Sequence, residues 1–156
     1  MQRDTLTLTR NADVPNNPRL PVRLYRAPHG AALDARAFEC RFAAHGWPPD
    51  WRGGVYDFHH FHSTAHEVLG IARGQARLLL GGPDGTVVDL QAGDALLLPA
   101  GTGHCCLQAS DDFQVVGAYP DGQDWDLCRA PADAAACARI DAVPDPVRDP
   151  MTGNPF

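Results

Sequence analysis

From Val55 to Gly70 the chain reads VYDFHHFHSTAHEVLG, which crowds His59, His60, His62, His66 and Glu67 into one short span. Imidazole and carboxylate side chains are the usual protein ligands of a divalent metal: imidazole suits iron, nickel and zinc, and oxygen donors suit manganese. Alternate side chains of a strand share a face, so His60 and His62 point one way as a two-toothed clip while His59 and Phe61 point the other. The tetrad Ser63, Thr64, Ala65, His66 can turn the chain, after which Glu67 opens the next strand and faces back toward the same interior. A further donor is His104, which follows the turn sequence PAGTG and opens a later strand. The expected metal ligands are therefore His60, His62, Glu67 and His104, with Glu67 also the candidate proton carrier if it stands back from the ion. His59 and His66 have the opposite parity and are read as outer-face or turn residues, partly exposed.

The elements that must hold these residues are short strands. After Trp51 come the apolar runs VYDFHHFH, EVLGIAR, ARLLL, TVVDL, ALLLP, HCCLQA and FQVVGAY, separated by glycine-bearing turns such as GGPDG and QAGD. Strands at intervals of roughly 8 to 12 residues predict an antiparallel sandwich or barrel, and a jelly roll fits. Leu78 to Leu80 and Leu96 to Leu98 are apolar on both faces, so their outer side needs cover from a helix or a second subunit. Before this region, VPNNPRLPVRLYRAP predicts an extended arm, and Leu33, Ala37, Phe38 and Phe42 fall at helical spacing ahead of the stop HGWPP. The expected organisation is one domain: an arm and helix over 1–50, a barrel over 51–120, and a C-terminal extension over 121–156 with one helical turn near DAAACAR. Even spacing from His104 places Cys106 and Gln108 on the interior face, and even spacing back from His60 does the same for Tyr56 and Phe58. These four are the expected pocket residues.

Two spacings carry a resemblance. Gly54, His60, His62, Glu67 and Gly74 reproduce G-x5-H-x-H-x4-E-x6-G, and Gly93, Pro99, Gly101 and His104 reproduce G-x5-P-x-G-x2-H, the two motifs of the cupins. The second motif closes on asparagine, where this chain has Gln108. The flanks WRGGVYDFHHFHSTAHEVLG and DFQVVGAYPDGQDWD are similar to small bacterial cupins of the YjlB-like group, whose role is not established. The resemblance implies an all-β fold, the cupin double-stranded β-helix or jelly roll, here with an N-terminal arm and one or two short helices. It implies no single reaction, since cupins include dioxygenases, isomerases, decarboxylases and plain binding proteins.

Composition excludes several other classes. All 13 basic residues are arginine, so no lysine is present for a Schiff base or a phosphate loop. Net charge is −6 with the arginines scattered, which argues against nucleic acid. No run of about 18 apolar residues predicts a membrane span, and the N-terminus lacks a signal-peptide core. Five cysteines without a C-x-x-C pair read as reduced thiols, and the expected location is cytoplasmic. The expected function is a metal-binding cupin that uses one divalent ion (iron, manganese, nickel or zinc) on a small oxygen-bearing metabolite, as an oxygenase or an isomerase or lyase. The alternative is a non-catalytic binder or sensor with a structural metal. A homodimer is the expected assembly, from the doubly apolar strands and the resemblance.

Overall fold

The computed structural model describes residues 1–129 and 131–156. Among these residues eleven strands and two helices follow in chain order: β1 (Gln2–Leu6), β2 (Val22–Arg26), α1 (Ala35–Ala44), β3 (Pro49–Gly53), β4 (His60–Phe61), β5 (Glu67–Arg73), β6 (Gln75–Leu80), β7 (Thr86–Gln91), β8 (Ala95–Leu98), β9 (His104–Ala109), β10 (Gln114–Ala118), β11 (Cys128–Arg129) and α2 (Ala134–Ala142). They form two antiparallel sheets, ordered β1-β2-β8-β5-β10-β3 and β11-β4-β9-β6-β7, the jelly-roll sandwich expected from the strand spacing. The run VYDFHHFH is a correction: only His60 and Phe61 pair as a strand, and residues 54–59 run as irregular chain.

Side-chain parity sorts the core. In β5, Leu69 and Ile71 face inward against Leu78 and Leu80 of β6, with Leu96 and Leu98 of β8 and Val115 of β10 completing this inner cluster. Glu67 has the same parity as Leu69 and Ile71, which is why the strand that builds the core also carries a carboxylate into the sandwich. The opposite parity, Val68, Leu97 and Val116, packs on Phe38 and Phe42 of α1. Gly70 permits this packing, because a Cβ there would collide with the Phe38 ring. Each phenylalanine so buried contributes roughly 1.5–3 kcal/mol. Helix α1 starts at Asp34, whose carboxylate accepts the Ala37 N–H at 2.8 Å, and stops at Gly46, where φ is +83°. On β8, Ala95 and Leu97 are buried in the same cluster as α1, together with Tyr25, Trp47 and Met151. On the other sheet, Phe61 turns outward under Ala136 and Ile140 of α2. Asp133 caps α2 by accepting the Ala136 N–H at 2.7 Å, and the helix extends nine residues, well past the single turn expected. All five cysteines are free thiols. Among the described residues no helix is long and apolar enough to cross a membrane.

Candidate metal centre

His60 of β4 pairs directly with His104 of β9, and the two rings lie 3.9 Å apart, centroid to centroid. His62 completes a triad: one ligand atom from each of the three buried histidines lies within 4.8 Å of the others, so this group can hold a metal ion. The tautomers are fixed by chemistry. Nδ1 of His60 meets the Phe58 carbonyl at 2.9 Å, Nδ1 of His104 meets the Thr102 carbonyl at 3.0 Å, and Nδ1 of His62 meets the Asp126 carbonyl. A carbonyl only accepts, so each Nδ1 must carry a hydrogen, and each Nε2 then offers a lone pair to an ion whenever its ring is neutral.

Glu67 stands beside the triad. Its oxygens lie 3.3 Å from Nε2 of His62 and 3.3 Å from Nε2 of His104. Burial alone would favour its neutral form, but His62 and His104 outweigh that and hold the carboxyl well below the usual carboxylate range. Burial, with His104 beside it, pushes His60 down to about 3, which keeps it neutral. His62 is pulled down by burial but ends raised above its ordinary value, because the Glu67 carboxylate stabilises its proton.

His66 needs a correction. It is buried, not partly exposed, although its ring does stay out of the triad. Its Nδ1 accepts the Ala100 N–H at 2.9 Å and its Nε2 meets the Pro144 carbonyl at 3.0 Å, so the hydrogen is on Nε2 and no lone pair remains for a metal. Here the imidazole ties the turn before His104 to the C-terminal extension. His59 is half-buried and outside the triad, and its Nδ1 has no hydrogen-bond partner among the described residues.

A cavity of about 370 Å³ opens onto the triad and Glu67. Tyr56 lines it, while Phe58 does not; Phe58 stacks on Tyr56 at 4.8 Å and carries the Arg129 guanidinium on its face. Cys106 is drawn into the inner core cluster instead, and Gln108 is exposed beside Arg77. The pairing of β6 with β9 shifts register between Arg77 and Leu78, so one extra residue of β9 breaks the alternation that would have kept Gln108 inward.

Sequence reasoning missed the residues that hold the site in place. Tyr119 donates its hydroxyl hydrogen to Glu67 Oε2 and accepts from Trp51 Nε1 at 2.9 Å. Trp51 reaches it by lying over Gly117, its partner across β3 and β10, where any Cβ would collide with the indole. The period-two pattern through Val115 and Gly117 could have placed Tyr119 inward. In the arm, Asn16 sits at φ +55°, donates to the Gly81 carbonyl at 3.2 Å, and accepts the Gly103 N–H at 3.1 Å, while Asn17 donates to the Ala100 carbonyl at 3.0 Å. Gly101, at φ +89°, leaves no room for a side chain against Ile140 and the Asn16 carbonyl. The arm therefore laces down the turn that aims His104. From the other end of the chain, the Asp126 carboxylate accepts the Ser63 N–H at 2.6 Å, which fixes the loop carrying His62.

No family model matches the chain. It is 37% identical, over 158 aligned positions, to the uncharacterised protein YjlB of Bacillus subtilis strain 168, an alignment covering 99% of this chain and 94% of that relative. The chain belongs to the YjlB family. Because the alignment runs nearly end to end, the family likeness includes the arm and the C-terminal extension as well as the strands that carry the triad.

Proposed function

We propose that the protein is a cupin that holds one divalent metal on His60, His62 and His104, with Glu67 as fourth ligand or adjacent base, and transforms a small oxygen-bearing molecule by oxygenase, isomerase or lyase chemistry. The observation that carries this reading is the common orientation: three separate carbonyls hold three Nδ1–H groups, so that the rings of a converging triad offer Nε2 lone pairs when neutral. When bound, the ion supplies Lewis acidity toward a substrate oxygen.

The chain's own residues supply the rest. Glu67, ionised and in contact with two ligand histidines, is the group able to take a proton from a bound substrate at its carboxylate. Tyr119 is held protonated by burial and by the Glu67 charge, so it donates to that carboxylate and orients it, and Trp51 in turn orients Tyr119. Leu69 and the Trp51 and Trp125 rings give the cavity an apolar wall. The pairing of an ionised carboxylate with a fixed phenol supports catalysis over passive holding.

The test is a two-step titration. Chelator-stripped protein is titrated with manganese or zinc by calorimetry, and then loaded and stripped samples are melted with acetohydroxamate, a probe that chelates through two oxygens. Saturation at one ion per chain, with the probe raising Tm only of the loaded protein, is the expected result. An equal shift in both samples would remove the open coordination positions that the reading requires.

A further inference from the structure

The cavity over the triad has a charge and shape of its own. Its walls are Trp51, Tyr56, Tyr119 and Trp125, its charged lining residues other than the histidines are Glu67 and Asp50, and no arginine lines it among the described residues. The nearby cations are committed elsewhere: Arg52 forms two hydrogen bonds with Glu39, at 2.6 and 2.9 Å, and Arg129 rests on the Phe58 ring at 3.6 Å. At the mouth, Trp125 is 40% exposed and Tyr56 50% exposed, which is unusual for rings of this size. Trp125 Nε1 donates to Asp50 Oδ2 at 2.9 Å and so fixes this carboxylate beside the indole, while Asp50 Oδ1 takes no hydrogen bond from the described residues.

We infer that the cavity selects a planar molecule that chelates through oxygen at the metal end and carries an ammonium group at the other, with the ammonium received by Asp50 and the Trp125 and Tyr56 rings. This rests on the metal reading above and adds the substrate class to it. A ring face attracts a cation, and a fixed carboxylate beside it adds a charge-assisted acceptor. A substrate ending in carboxylate or phosphate would instead meet the Asp50 carboxylate and no guanidinium, a penalty that selects against it. At about 370 Å³ the cavity admits a single-ring molecule and lies near the small end of ligand pockets.

Three probes separate the possibilities: dopamine, methylcatechol and dihydrocaffeate share a chelating catechol and end in an amine, a methyl and a carboxylate. Each is titrated into zinc-loaded protein, with tryptophan fluorescence as the readout because Trp51 and Trp125 line the cavity. Dopamine is expected to bind about tenfold or more tighter than dihydrocaffeate, with methylcatechol between them, and raising the salt should compress that ratio. Asp50→Asn should reduce the ratio to about twofold or less. Dihydrocaffeate binding as tightly as dopamine, a ratio unmoved by Asp50→Asn, or no response to any probe in protein holding one zinc would each overturn the inference and leave the metal reading standing. Protein that takes up no zinc would overturn the metal reading itself.

Discussion

Glu67 and Asp149 are both buried carboxylates, 2% and 1% exposed, and each accepts a hydrogen bond from a tyrosine hydroxyl, Tyr119 and Tyr25. The rest of their surroundings differ. Asp149 Oδ2 also accepts from Arg23 at 2.9 Å, and its Oδ1 accepts the backbone N–H groups of Met151 and Thr152 at 2.9 and 3.0 Å. Every contact is a donor, and one donor is permanently charged. Glu67 meets instead two imidazole nitrogens that carry lone pairs when neutral, and it faces a cavity. The first arrangement is closed and fastens the C-terminal segment to β2; the second leaves bonding capacity unused, as a ligand site must.

The sharpest way to break that comparison is the same amide swap at both positions. Asp149→Asn must aim an NH2 group either at two backbone N–H groups or at Arg23 and Tyr25, so it should cost on the order of 3–5 kcal/mol in urea unfolding. The net shift of Asp149 is downward from its ordinary 3.8: burial opposes ionisation, but the Tyr25, backbone and Arg23 donors outweigh it. Its stabilisation is therefore present above that value and lost as pH falls through the lower folded-state value, so the gap between wild type and Asp149→Asn should narrow only in strong acid. A gap that closed already near neutral pH would place the effect elsewhere.

His66→Ala comes next in size. It strands the Ala100 N–H and leaves a cavity, while the Pro144 carbonyl keeps Gln123 Nε2 as a donor at 3.0 Å, so about 2–3 kcal/mol should be lost, measured by thermal or urea unfolding, while the folded variant still takes up metal. A variant as stable as wild type would return His66 to the surface role its parity suggested.

Glu67→Gln should change the stability of metal-free protein least, by about 1 kcal/mol or less. A glutamine oxygen can still accept from Tyr119, and its NH2 can donate to an imidazole Nε2. Metal affinity should nevertheless fall by about tenfold or more, read by competition with a chromogenic chelator. A large stability loss without an affinity change would make Glu67 a second Asp149.

The contrast also marks what the sequence could disclose. The strands from Glu67 to Ala118 were legible because local alternation and glycine turns specify them, and the triad was legible because His60, His62 and His104 stand at fixed distances from such turns. The parity rule removed His66 from the ligand group but misjudged its burial, since its partners Ala100 and Pro144 lie far along the chain. Parity failed outright at Gln108, where a register shift adds a residue, and at Phe58, which lies in irregular chain outside the cavity lining. Asn16 and Asp149 gave no signal, because their value depends wholly on distant groups brought near by folding.

The most direct measurement is elemental analysis of wild type, His62→Ala, His104→Ala and His66→Ala, purified without chelator and checked for folding by circular dichroism. Wild type and His66→Ala should carry close to one divalent ion per chain, and the two triad variants should carry little. Full metal in folded His62→Ala or His104→Ala, or an empty site in folded His66→Ala, would contradict the assignment of the ion to His60, His62 and His104.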